Sequence, residues 1–477
     1  MKKAVLVSLA AVAAALTVSS CADTLSDLEL TVPSTSEIVL YSGQSQTCSF
    51  DVANSGGYLL KGTAVPSNPL YRAEVAINSQ MDGGTVTVYA PEYIFKDEDF
   101  TVDVTVEDGI NGRRKATTLQ VKAKALENIQ PFDTPANAFI AKPGSLVKIP
   151  AQRGANGGVL SFDAADLLWQ DAQGLVKAVV LDPSDASSIY VELNADATGN
   201  AVVCAKASGQ IVWSWHLWVT DYDPAASTMD WKDADGVTYS FMDRDLGAMT
   251  SVPGTDAAHG NFYNWGRKDP FPGAKFDAAE YKPAYNLAGE VVEFPKVDNE
   301  AVSNIEGSIA NPLNRYLGVN AGGWSWITNN FSQIDKDAVK DLWGGVSGQK
   351  SMYDPCPAGW KVPSFAAAAF VSDAAVTKTK VYKEGAAAAN NAMVGANFTV
   401  GGKDFFFPSM GESSWNGNLV NYVGGTWPCG KHWTNTADTF ASSSYFRGGH
   451  YGHNTPSSAG RANINFGYYL AVRCVKE

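Results

Sequence analysis

Three stretches carry side chains whose types and spacing could do chemistry. Asp230-Trp-Lys-Asp233-Ala-Asp235-Gly236 sets three carboxylates close together, and clustered oxygens of this kind hold calcium. The bidentate Glu and the full spacing of an EF-hand loop are missing, so a hairpin turn is the competing reading. Trp415-Asn-Gly-Asn418, shortly after Glu412, joins an indole to two amides. An indole stacks on the C–H faces of a sugar while amides meet its hydroxyls, which makes Trp415, Asn416 and Asn418 candidate ligand contacts without a metal. A packed loop would explain them equally. His450 and His453, in Gly448-Gly-His-Tyr-Gly-His-Asn454, are spaced to meet one ligand. No Cys or carboxylate stands beside them to complete a metal shell, so a glycine-rich hairpin tip competes here too. Neither a metal nor a cofactor is expected.

Catalysis would leave other marks. The chain has no Gly-x-Ser-x-Gly elbow, no Walker loop and no His-Glu-x-x-His, the patterns that place a nucleophile, a phosphate cradle or a zinc. We therefore expect a protein that is not an enzyme. A formal charge of −13 also argues against nucleic acid, whose recognition needs a basic footprint.

The elements that must carry these residues begin with an address. Met1-Lys2-Lys3 is a basic start, Ala4 to Val18 a short apolar run of small residues, and Val18-Ser-Ser-Cys21 matches a lipobox. That pattern reads as an export signal over residues 1–20 with Cys21 lipidated, rather than as a spanning helix. Removing Lys2 and Lys3 takes the charge from −13 to −15. Such acidity disfavours broad adsorption to anionic lipid, so the membrane is expected to be met through the lipid anchor.

Six Cys in 477 residues is too sparse for a disulfide scaffold. With Cys21 lipidated, Cys48, Cys204, Cys356, Cys429 and Cys474 remain, an odd number that leaves a free thiol. Cys48 and Cys204 lie in apolar alternating runs and read as buried and inert.

After a tether at 21–26, residues 27–125 alternate with period 2. Cys48-Ser-Phe-Asp-Val52, Thr85-Val-Thr-Val-Tyr89 and Phe100-Thr-Val-Asp-Val-Thr-Val106 are β-branched strands, with turns expected at Asp82-Gly83-Gly84 and Asp108-Gly-Ile-Asn-Gly112. About seven short strands in about 100 residues is the size of an immunoglobulin-like sandwich. Arg113-Arg-Lys115 beside the second turn reads as a solvated strand end. A linker is expected around Leu126 to Ala136, then a second β-sandwich-like module over 130–223. In its last strand, Ile211-Val-Trp-Ser-Trp-His-Leu-Trp-Val219, Trp213, Trp215 and Leu217 share one face, and Ser214, His216 and Trp218 the other. His216 is expected to be packed or at a domain junction. From 225 to 477 glycine and aromatic loops take over, with helices expected at 336–343 and 365–371, the latter capped by Ser364.

This last region resembles a known family. Asp235-Gly-Val-Thr-Tyr239, Met242-Asp-Arg-Asp-Leu-Gly247, Asn261-Phe-Tyr-Asn-Trp-Gly-Arg-Lys268, Cys356-Pro-Ala-Gly-Trp-Lys-Val-Pro-Ser364, His432-Trp-Thr-Asn435 and the tail Val472-Arg-Cys-Val475 are similar, in order, to the Fibrobacter succinogenes major paralogous domain. The resemblance implies a C-type-lectin-like α+β fold on a surface protein, and display and binding more than a reaction. The loop at Trp415 faintly resembles the calcium and sugar site of C-type lectins, but Gly417 stands where that site has Asp. Asn137-Ala-Phe-Ile-Ala-Lys-Pro-Gly144 and Trp213-Ser-Trp-His-Leu-Trp-Val-Thr-Asp221 resemble a module of Bacteroides-type fimbrillin-like and surface lipoproteins. Asp23-Thr24-Leu25 resembles the O-glycosylation site of those bacteria.

These likenesses imply an outer membrane lipoprotein of a Gram-negative bacterium, exposed at the cell surface, with a lectin-like domain on a β stalk. Its partner would be a glycan or protein on another surface. A fimbrial accessory or tip subunit, accepting a partner strand at a sheet edge, is the alternative, and an enzyme of the formylglycine-generating fold a remoter one. The family carries Cys in both the Cys356 and Cys474 motifs, which implies a Cys356–Cys474 disulfide with Cys429 free. A loop that long is worth about 4–5 kcal/mol to the folded state in chain-entropy terms.

Overall fold

The computed structural model describes residues 25–32, 37–298, 303–318, 325–327, 337–386, 392–414, 416–423, 429–437, 441–447, 460–464 and 466–477. The protein is mainly β and divides into two compact units, Met1–Glu127 and Asn128–Glu477. Among the described residues no helix is long and apolar enough to cross a membrane.

The first unit is a sandwich of β1 (Glu29–Thr31), β2 (Ile38–Tyr41), β3 (Ser45–Ala53), β4 (Leu60–Pro66), β5 (Arg72–Ile77), β6 (Gly83–Tyr89), β7 (Glu98–Asp108) and β8 (Arg114–Lys124). One sheet runs β1-β3-β6-β5 and the other β2-β8-β7-β4, an immunoglobulin-type order. The period-2 pattern decides which side chains enter. Phe100, Val102, Val104 and Val106 of β7 are all buried, with their neighbours turned outward. One turn is displaced from its expected place. Gly83 and Gly84 belong to β6, and the turn is 78–82, closed by Asn78 amide bonds to Asp82. A side chain at Gly84 would meet the Ala76 carbonyl at 2.2 Å, so these glycines serve close strand approach.

The second unit opens with a sandwich of the same strand order. It contains β9 (Ile129–Pro131), β10 (Ala138–Ala141), β11 (Leu146–Pro150), β12 (Ala164–Gln170), β13 (Val176–Asp182), β14 (Asp185–Leu193), β15 (Gly199–Ala207) and β16 (Gln210–Val219). Its sheets run β13-β14-β11-β9 and β10-β16-β15-β12. Both units therefore split their first strand between two sheets. The expected linker at 126–136 is corrected by this arrangement, because β9 pairs with β11 and belongs to the sandwich.

Alternation along β16 explains why this sandwich and the rest of the chain form one unit. Trp213, Trp215 and Leu217 enter the sandwich core, while Trp218 joins the core of the C-terminal region. From Trp213 to Val219 both faces of the strand are dry. A strand buried on both faces reads as nearly continuous apolar sequence, as this one does.

The C-terminal region starts with the hairpin β17 (Thr228–Lys232) and β18 (Thr238–Met242). The last strand, Val475–Lys476, pairs with β18 and with Trp360–Lys361, so the chain closes on the opening of its own region. Helix is sparse. The expected helix at 336–343 is Asp337–Lys340, after which the Asp341 carboxylate accepts the N–H groups of Val346 and Ser347. The expected helix at 365–371 is a tight 3₁₀ segment, Ala367–Val371, with Ser364 Oγ accepting the Ala367 N–H at 3.0 Å. A further helix, Ile305–Ala310, was not expected from the sequence; Asn304 caps it by accepting the Gly307 N–H at 2.7 Å.

Candidate functional site

The motif residues of the C-terminal region meet in its interior. Asp245 Oδ1 lies 2.7 Å from Arg473 Nε and 3.0 Å from His432 Nε2, with all three side chains buried. Burial alone would push the Asp245 carboxyl up, but the Arg473 and His432 charges outweigh it and hold it at about 2. Arg473 also covers the Phe407 ring at 3.6 Å and donates to the Phe406 carbonyl at 2.9 Å. The aromatic motif residues bind backbone in the same way. Trp433 Nε1 donates to the Tyr263 carbonyl at 2.7 Å, and Trp265 Nε1 to that of Thr434 at 2.9 Å. These residues build a lattice, and no ligand is needed to explain them.

The segment from Cys356 is held likewise. Cys356 and Cys474 form a disulfide with Cα atoms 6.0 Å apart. Beside it, buried Lys350 Nζ reaches Asp354 Oδ1 at 2.9 Å, the Cys356 carbonyl at 2.8 Å and the Trp360 carbonyl at 2.5 Å. Both sulfurs of the bridge are thus taken; the side chain of Cys429, expected to be free, lies outside the described residues. Cys204 is buried and its thiol pushed up to about 12, whereas Cys48 is only half-buried, short of the full burial expected.

One arrangement with catalytic geometry escaped the sequence reading. Lys268 Nζ lies 2.6 Å from Ser214 Oγ and 2.6 Å from Asp269 Oδ1, and 4.6 Å from the Trp213 ring centroid. A lysine beside a serine hydroxyl can activate it. Here Ser214 is 1% exposed and Asp269 neutralises the ammonium, so the triad locks β16 to the C-terminal region. His216 lies on the same face, 2.9 Å from Asn200 Oδ1, and burial lowers its pKa to about 3. The alternation of β16 was the signal that could have found the lock, since polar residues opposite a tryptophan face need partners.

The sequence-predicted contacts do not assemble into one site. Asp233 is part of the β17–β18 turn, its Oδ1 accepting the N–H groups of Asp235 and Val237. Among the described residues no three His, Cys, Asp or Glu side chains could hold a metal. Asn416 Oδ1 accepts from Ser414 Oγ at 2.5 Å and from the Asn418 N–H at 3.1 Å, so its oxygen braces a hairpin. Asn418 is exposed, with its oxygen held by Lys296 Nζ at 3.1 Å. Cys21, Trp415, His450 and His453 lie outside the described residues.

A concave surface does occur where the first carboxylate cluster meets the 3₁₀ segment. The groove, about 560 Å³, is lined by Trp231, Asp233 and Asp235 on the hairpin side and by Ala366, Ala369 and Asp373 opposite. Trp231 is fixed from three directions. Its ring stacks on Tyr239 at 5.7 Å, packs near Phe370 at 6.3 Å, and its Nε1–H donates to Asp373 Oδ2 at 3.1 Å. The Ala375 N–H, and after it the Trp231 bond, keep the Asp373 carboxyl below its ordinary range. Ionised carboxylates accept hydrogen bonds from hydroxyls, and the indole edge and the Ala369 methyl give an apolar floor, with Ala366 exposed on the rim. A sugar ring presents both kinds of surface.

No family model matches the chain, and no curated protein matches it. Among solved structures it is similar to domains 4 and 5 of the S-layer protein SbsC (18% identity, 20% of this chain and 53% of that chain, TM-score 0.15). A point mutant of the SrpA adhesin from Streptococcus sanguinis gives 18% identity over 24% of this chain and 66% of that chain, TM-score 0.17. The YadV chaperone gives 15% identity over 41% of this chain and all of that one, TM-score 0.17. The chain thus spans about half of the first and two thirds of the second. These likenesses carry no function to this chain.

Proposed function

We propose that this is a surface-displayed binding protein: an outer membrane lipoprotein anchored through Cys21, whose sandwiches carry a C-type-lectin-like region that binds a glycan in the Trp231 groove. The groove is the observation that carries the reading, because it joins a fixed indole to carboxylates on a concave surface of the last region. The lectin-like assignment is supported by the closure of Val475–Lys476 on β18 and by the disulfide beside it. The chemistry of the groove calls for hydroxyl-rich ligands, and the hydrogen-bonded state of Asp233 calls for binding without calcium. The test is a glycan array probed with the full mature chain, with and without chelator. Binding that survives the chelator is expected, and binding abolished by it would overturn the metal-free reading.

The fimbrial alternative draws on a second groove, about 350 Å³, along the outer edge of β10, where Phe132, Ile140, Pro224 and Trp360 line an apolar trough. An incoming strand would need the free backbone of that edge. Gln130 occupies it, donating to the Ile140 carbonyl at 3.3 Å and accepting the Lys142 N–H at 2.8 Å, while Ala138 bridges Pro357. Strand addition would have to displace these, which favours the adhesin reading.

A further inference from the structure

One end of the first unit carries apolar side chains that its core does not use. The turns 54–59, 78–82 and 109–113 converge there, and the chain enters at the same end, since Glu29 of β1 lies opposite Ala53 of β3. Arg113 ties the parts together. Its Nη1 donates to the carbonyls of Ser26 at 2.6 Å and Asn54 at 2.9 Å, and its Nη2 lies 3.0 Å from the Asp108 carboxylate. Asn54 Nδ2 in turn donates to the Asp27 carbonyl at 2.9 Å. The 109–113 turn is fixed by Asp108 Oδ1, which accepts the Ile110 N–H at 2.9 Å, and by Gly109 N–H donating to the Leu59 carbonyl at 2.9 Å. The result is an ordered tip with Leu25, Leu59 and Ile110 exposed by 42%, 52% and 67%.

Large apolar side chains held outward on a well-bonded tip mark a surface that meets something apolar. The position of the tip in the chain says what. Leu25 follows Cys21 by four residues, and four residues of any conformation span at most about 14 Å. With lipid on Cys21, the bilayer is the apolar phase always within reach. Arg114 and Lys115, exposed at the start of β8, suit lipid headgroups beside it. The acidity of the whole chain opposes broad adsorption, so the contact is confined to the tip.

We propose that the tip formed by Leu25, Leu59 and Ile110 seats in the lipid surface that holds Cys21, adding apolar contact to the anchor and fixing how the first sandwich stands on the membrane. This rests on the lipid-anchor reading given above. The other exposed apolar residues Tyr41, Val65 and Leu70 lie at the opposite end of the sandwich, where β4 finishes at Pro66. They supply the control.

The experiment uses the mature lipidated protein in vesicles of phosphatidylethanolamine and phosphatidylglycerol, with a benzophenone amino acid in place of Ile110, Leu59 or Val65. Irradiation is expected to give lipid adducts at 110 and 59 and none at 65. The acyl mass on Cys21 is read from the same samples. An acylated protein without lipid adducts at 110 overturns the seating and leaves the anchor standing. Adducts to protein at 110 also overturn it, making the tip a protein contact. A Cys21 without acyl mass removes the anchor reading and this proposal with it.

Discussion

Arg473 Nε lies 2.7 Å from Asp245 Oδ1, joining the segment that leads into the last strand to a motif more than two hundred residues earlier, inside a core that excludes water from both. Removing one partner of such a pair leaves the other charge buried and unpaired. Asp245→Asn is therefore expected to destabilise the protein by about 3–5 kcal/mol, read from urea unfolding. The exposed pair Lys275–Glu280 is the comparison, where solvent screening should leave the urea midpoint of Glu280→Gln close to that of the unaltered protein. Equal effects at the two sites would show that the Asp245 lattice is not a structural clamp.

Acid should weaken the protein in two stages. Burial holds His216 at about 3 and His259 at about 4, below their unfolded value, so each contributes stability that is complete above about pH 6.5 and lost as pH falls below it. Asp245, held at about 2, contributes stability present above its unfolded value and lost only at stronger acidity. Asp171, whose carboxyl burial pushes up, works in the opposite direction. The denaturation midpoint should thus fall between about pH 7 and pH 4.5, before carboxylates titrate. A midpoint unchanged over that interval would refute neutral buried His216 and His259.

The C-terminal region should not be separable at residue 225. Cutting there exposes the β16-facing surface and strands Lys268 and Asp269, which are 3% and 2% exposed in the intact unit. Residues 225–477 alone are expected to aggregate or bind a hydrophobic dye, while 128–477 unfolds in one cooperative transition. A soluble, cooperative 225–477 fragment would contradict the shared core.

Much of this fold could be read in the sequence because period-2 runs such as 100–106 state which side is buried. The two faces of β16 were legible for the same reason. The C-terminal region was harder, since its strands are as short as Trp360–Lys361 and its order comes from indole and guanidinium bonds to distant carbonyls, which leave no period. The Trp231 groove was legible only as three carboxylates. Their partner Asp373 is 142 residues from Trp231, and no local pattern brings the two together. The Asp82-Gly83-Gly84 turn misled because glycine marks close strand approach as readily as a bend.

The proposal that a glycan binds in the Trp231 groove is tested most directly by filling the groove without disturbing its floor. Ala366 is exposed on its rim, so Ala366→Arg places a long side chain in the space a sugar would occupy and leaves the Trp231–Asp373 bond intact. Titration calorimetry with the best array glycan should show a loss of affinity of at least about tenfold, equivalent to about 1.4 kcal/mol, with the unfolding midpoint unchanged. Undiminished affinity in Ala366→Arg would contradict binding at Trp231.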